Sequence, residues 1–335
     1  MKAQSAGTLL VCTIQHQLSL SGVTLSKYIL KRLVQLIPVL IGVSLLVFIM
    51  VRLIPGDPAD VMLGDRGTAE AREQIRVALG LDKPLYEQYI IFINRLIRGD
   101  LGDSFVLRRP AMPMILERFP RTLFLTIYGV VLSVIVALPL AILSALKKDT
   151  LVDHVIRGFV TLTLSMPSFW IALLLIITFS VKLHIFPIAG FGNNLKENLY
   201  YLFLPALSIA LSGSAVLVRN LRAVILDVLQ SDYVRTANAK GLTPTAVFVR
   251  HVLRNSLIST VTLLGLRVAY SVGGAVIVET IFAIPGLGRL LVNSISARDY
   301  PVVQAITLFL AVLVIVVNLV TDIIYAVLDP RIQYE

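Results

Sequence analysis

Six runs of this chain, at 33–54, 122–146, 158–182, 202–218, 257–283 and 303–327, approach or exceed the length of apolar sequence that crosses a bilayer. A hydrocarbon core about 30 Å thick takes about 20 helical residues at a rise of about 1.5 Å each. No water reaches that core to satisfy a free N–H or C=O, and a helix closes all its backbone hydrogen bonds within one segment. With 57% hydrophobic and 15% charged residues, the chain has too little polar surface to wrap these runs in a soluble globule. The expectation is an all-α membrane protein with six transmembrane helices. Pro139 in the second run and Pro167 in the third, within Ser165-Met-Pro-Ser-Phe-Trp170, predict bends that neighbouring helices and hydroxyls accommodate.

The net charge of +10 would suit nucleic acid in a soluble protein, but here its distribution sets the topology. Fourteen Lys/Arg fall before the first run, at 147–157, at 219–255 and at Arg331, against Lys196, Arg289 and Arg298 in the two short loops on the other side. The bias places both termini and the 219–255 segment in the cytoplasm. Residues 55–121 carry ten Lys/Arg and ten Asp/Glu. Long segments translocate largely regardless of charge, so this one reads as a small extracytoplasmic helical insertion between the first two spans. Helical patterns at 69–79 and 85–97 are separated by the turn signals Pro55-Gly-Asp-Pro58, Leu79-Gly-Leu-Asp-Lys-Pro84 and Gly99-Asp-Leu-Gly-Asp-Ser104. Residues 1–26 read as a poorly ordered extension, too weakly flanked for a secretory signal.

The most ordered polar sequence is 232–255, between the fourth and fifth runs. Tyr233 to Lys240 are helix-compatible, and Gly241 suits the left-handed position that ends a helix. Thr243 and Pro244 then restart one, an N-cap hydroxyl followed by proline where its missing N–H costs nothing. Phe248, Val249, Val252 and Leu253 supply this second short helix with an apolar stripe.

This string resembles the cytoplasmic loop signature of ABC importer permeases: Glu-Ala-Ala, three residues, Gly, nine residues, Ile-x-Leu-Pro. The corresponding positions are Arg235, Thr236, Ala237, Gly241, His251, Leu253 and Arg254, of which Ala237, Gly241 and Leu253 match. The form Arg-Thr-Ala-x-Ala-Lys-Gly-Leu, with His-x-Leu-Arg-Asn downstream, is similar to the branch that imports di- and oligopeptides, glutathione or nickel. Gly99–Ser104, Phe282-Ala-Ile-Pro-Gly-Leu-Gly288, Arg298-Asp-Tyr-Pro-Val-Val-Gln304 and Asp329-Pro-Arg-Ile332 extend the resemblance from Lys27 to the end. It implies an ATPase-coupling loop that includes Tyr233, Arg235, Thr236, Ala237, Ala239, Lys240, Gly241, His251, Leu253 and Arg254. The small residues Ala237, Ala239 and Gly241 would let another subunit approach closely. The implied partners are a second homologous permease, two ATPase subunits holding ATP and Mg, and an extracytoplasmic substrate-binding protein. For 55–121, contact with that binding protein and simple packing on the spans both stay open.

No cofactor or metal site of this chain's own is visible. Cys12 is the lone cysteine, His16, His154, His184 and His251 lack ligand spacing, and no Gly-x-x-x-x-Gly-Lys-Ser/Thr string occurs. A secondary transporter would need carboxylates deep in the spans, where only Glu279 and Asp322 qualify, each near an end. An intramembrane enzyme would need a clustered nucleophile or acid–base set, and none is present. Arg267 lies about 15 Å into the fifth run, with Tyr270 and Gly274 on its helix face. It would either pair with Asp322 or with freed carbonyls, or join Tyr270, Pro167 and Trp170 along a translocation pathway. Ser271, Gly273 and Gly274 read as a patch for close helix packing.

Overall fold

The computed structural model describes residues 34–50, 52–53, 63, 68–78 and 80–328. The 1–26 extension, the basic residues before the first run, the Pro55–Pro58 turn and the 329–332 string lie outside them. Among the described residues every regular element is a helix. Four helices are long and apolar enough to cross a membrane, and a pair of helices bent against each other makes a fifth candidate by length and composition. Val34–Met50, α1, is a shorter apolar helix. Two small helices follow, α2 at Ala69–Ala78 and α3 at Leu85–Ile97, where the sequence predicts them. Gln88 of α3 takes two donors from Arg52 and donates to the carbonyl of Lys83, so α3 is tied back to the first run.

The second span starts earlier than expected. Helix α4 runs Ala111–Leu146, starting directly after Pro110, with Pro120 and Pro139 inside it. At about 54 Å it exceeds the bilayer core. The helix persists through Pro120 because Ala111, Met114 and Ile115 are buried against Leu287, Leu290, Val302 and Ile306. Residues 111–121 therefore belong to this helix and not to a separate insertion.

The third span is broken outright. Helix α5, Leu151–Ser165, and α6, Ser168–Leu175, meet at 108° across Met166 and Pro167. The cause is local: a residue before proline is excluded from the helical region, and Met166 sits at φ −94°, ψ 129°. A π-helical stretch, Ile176–Lys182, completes the span. The outer loop then contains α7, Leu195–Tyr201, where Asn194 accepts from the Glu197 N–H and Glu197 accepts from the Asn193 N–H.

Helix α8, Phe203–Leu229, is central and packs along α4 and against α5, α6 and the fifth span. It continues eleven residues past the expected end at 218, because Leu217, Val218, Leu221 and Ile225 extend its buried stripe. Helix α9 is Asp232–Ala239, and α10, Pro244–Val247, passes through a π-helical turn, Phe248–Leu253, into α11, Arg254–Ile281. The second short helix is thus the beginning of the fifth span. Its buried residues are Val247 and Val252, whereas Val249 is exposed. An unexpected helix, α12 at Leu287–Ser296, fills the last outer loop before α13, Tyr300–Leu328.

Close packing of the fifth span occurs at Gly265 and not at 271–274. A Cβ on Gly265 would strike Thr321 of α13, while one on Gly273 or Gly274 would meet nothing within 4 Å.

Candidate coupling site and pathway

Helix α9 has two faces. Val234 and Ala237, three residues apart, are buried in the same cluster as Val218, Leu221, Ile225, Val247 and Val252. Tyr233, Arg235, Thr236, Ala239, Lys240 and Gly241 are exposed. Ala237, 6% exposed, faces inward, so the small-residue approach surface reduces to Ala239 and Gly241.

The helix ends in a Schellman motif. The Leu242 N–H bonds to the Ala237 carbonyl and the Gly241 N–H to that of Asn238, with Gly241 at φ +79°. A side chain at this φ is strained, which accounts for glycine. Thr243 then caps α10, its hydroxyl accepting from the Ala246 N–H, and Pro244 takes the first helical position. Asn255 donates to the Tyr233 hydroxyl at 3.2 Å and to the His251 carbonyl at 2.9 Å, holding α9 against the root of α11. His251 and Leu253 are half-buried and Arg254 exposed, so the loop residues that the sequence groups do lie in one continuous element.

Beneath α9 is a polar pin that the sequence reading missed. Arg222 of α8 bonds Asp153 of α5 through Nε at 2.9 Å and Nη2 at 2.6 Å. Ser144 of α4 donates to Asp153 and accepts from Arg222 Nε, and the Asp149 N–H also reaches Asp153. Three spans are locked at the end of the bundle that carries α9. The available signal was the spacing of Val218, Leu221 and Ile225, which puts Arg222 on a helix flank and not in a loop.

The other end has its own polar anchors. Buried Asp299 accepts from the Ser104 hydroxyl and the Phe105 N–H, joining the Gly99–Ser104 string to the Arg298–Gln304 string. Glu279 accepts from the N–H groups of Gly288 and Arg289 in the first turn of α12. Both bonds fall on Oε2, and no partner of the buried Oε1 occurs among the described residues.

Arg267 and Tyr270 share an outward face of α11. Tyr270 is 77% exposed, and Gly273 and Ile277 continue the exposed stripe. Among the described residues no hydrogen bond or ion pair of the Arg267 guanidinium occurs. Pro167 and Trp170 are exposed at the α5–α6 break, Trp170 at 42%.

Residues 137–334 match the family described as binding-protein-dependent transport system inner membrane component, and residues 25–126 match its N-terminal membrane component. The chain belongs to this family. It is 42% identical over 308 residues to the glutathione transport system permease protein GsiC of Escherichia coli K12, which spans 92% of this chain and 99% of that one. It is 39% identical over 316 residues to the oligopeptide transport system permease protein AppB of Bacillus subtilis 168, across 92% and 100%. The MetNI methionine ABC transporter in an inward facing conformation shares the fold, with a TM-score of 0.56 at 15% identity over 65% of this chain and 97% of that one. A multi-pass inner-membrane transport component is therefore established, and the secondary-transporter and intramembrane-enzyme alternatives give way.

Proposed function

We propose that this chain is one of two homologous permease subunits of an ABC importer for di- or oligopeptides, with six spans and both termini in the cytoplasm. The two-faced α9 carries the reading: it is pinned inward by Val234 and Ala237 and offers Tyr233, Arg235, Thr236, Ala239, Lys240 and Gly241 outward. An ATPase subunit docks on that face, and two such ATPases supply ATP and Mg. Because α9 packs on Val247 and Val252, bonds Asn255 through Tyr233, and α10 runs through a π-helical turn into α11, a displacement of α9 by ATP-driven closure is passed to the span bearing Arg267 and Tyr270. The chain transmits and does no chemistry. Net transport then requires substrate affinity to differ between inward- and outward-open states.

The exposed stripe of Arg267, Tyr270 and Gly273 supports a pathway wall shared with the second permease. An arginine near the bilayer midplane costs about 2.5–3.5 kcal/mol on insertion scales, so Arg267 faces protein or water and not lipid. Pro167 and Trp170 belong to the same wall at the helix break. In this reading α2 and α3 lie on the extracytoplasmic side of the membrane.

Glutathione, itself a short peptide, is the second reading, favoured by the identity with GsiC. The test is ATP-driven uptake in vesicles containing the whole complex and its binding protein. Saturable dipeptide or oligopeptide uptake is expected, and uptake of glutathione alone would replace the first reading with the second.

A further inference from the structure

Helix α5 divides its surface three ways, and one of these faces has no role yet. Asp153, Ile156, Val160 and Thr163 face the core. Leu151, Val155 and Phe159 form a second stripe that is exposed and apolar, as a lipid-facing surface should be. The third is polar: His154, Arg157, Thr161 and Ser165 repeat at helical spacing, with Gly158 opening a gap between them. Together with Leu162 they line an open groove of about 600 Å³.

Arg157 stands at the cytoplasmic edge of this span, and a polar stripe that continues from it through Thr161 to Ser165 does not face hydrocarbon. Such residues in membrane helices face water-filled cavities or other protein. The groove ends at Pro167, where the helix breaks, and Trp170 follows on the far side of the break. His154 Nδ1 sits 2.8 Å from the Thr150 carbonyl, which turns the other ring nitrogen outward. Ser165 donates to the Thr161 carbonyl, while no bond of the Thr161 hydroxyl occurs among the described residues.

We infer that this groove is the inner, exit half of the translocation pathway and binds the free carboxylate of a departing peptide. This rests on the peptide-importer reading. Arg157 presents a planar fork of donors matched to a carboxylate, and the Thr161 hydroxyl takes a backbone polar group of an extended chain. The groove's positive end complements the charge of a peptide C-terminus.

The test uses the full complex with Cys12→Ser, which removes the chain's lone cysteine, and with Thr161→Cys added. A membrane-impermeant maleimide is applied from the ATPase side. Thr161→Cys should react without nucleotide and be protected by a dipeptide with a free carboxylate. The amidated dipeptide should protect about tenfold more weakly or worse, as should the free peptide when Arg157→Gln is added, given the strength of hydrogen bonds to charged groups. Val155→Cys, on the apolar stripe, should stay unreactive. A Thr161→Cys complex that transports normally but never reacts would mean the stripe is sealed against the second permease, and the inference fails. Equal protection by both peptides, or none, fails it too, while the peptide-importer reading survives. Absence of ATP-driven peptide uptake by the Cys12→Ser parent would overturn both.

Discussion

Arg222 grips Asp153 with two guanidinium nitrogens, at 2.9 and 2.6 Å, and the aspartate has no exposed surface. Arg222 keeps 18% of its side chain exposed, so the buried aspartate depends on the pair most: alone it would keep its desolvation cost without its counter-charge. The pair joins α5 to α8 directly below the cluster that seats Val234 and Ala237.

Removing one partner should therefore do more harm than removing both. Asp153→Ala is expected to cost about 3–5 kcal/mol, with Asp153→Ala/Arg222→Met recovering much of it. Thermal unfolding of the purified complex in detergent measures this. An Asp153→Ala protein as stable as the parent would show that the pin contributes nothing.

Gly241 predicts a separable defect. Valine at φ +79° strains the backbone by about 1–3 kcal/mol, and a Schellman end cannot form without that conformation. Gly241→Val should insert and fold, yet lose its ATPase subunits or hydrolyse ATP without uptake. Normal substrate-stimulated hydrolysis together with normal uptake would refute the role of this helix end.

Legibility in the sequence followed the range of the physics involved. The ends of α9 were readable because a Schellman glycine and a Thr-Pro start are local devices. The long apolar runs were readable because the bilayer imposes a length. What escaped depends on tertiary partners: α4 continues through Pro120 only because Ala111, Met114 and Ile115 find α12 and α13, and Arg222 is partly buried only because α5 supplies Asp153. The break at Met166 falls where Pro167 predicts a bend, and the inward turn of Ala237 has a local signal as well. A valine three residues before Ala237 marks the buried side of a short helix, and a residue before proline marks a break.

Arg267 carries a prediction about substrate handling. Without an ion pair among the described residues, Arg267→Gln should leave expression and ATPase assembly unchanged and reduce uptake of peptides with a free carboxylate by about tenfold or more. Uptake equal to that of the parent would leave Arg267 no part in the pathway.

The topology is checked by fusions. A reporter active only outside the cytoplasm should report near residue 90, in α3, and stay silent near residue 240, just after α9. The reverse pattern would contradict six spans with both termini inside.

The central claim is that the exposed face of α9 is where the ATPase docks, and a photo-crosslinking side chain tests it directly. Placed at Ala239, exposed on that face, it should capture an ATPase subunit in membranes containing the whole complex. Placed at Ile295, exposed on α12 at the other end of the bundle, it should not. Capture from Ile295 and none from Ala239 would contradict the account.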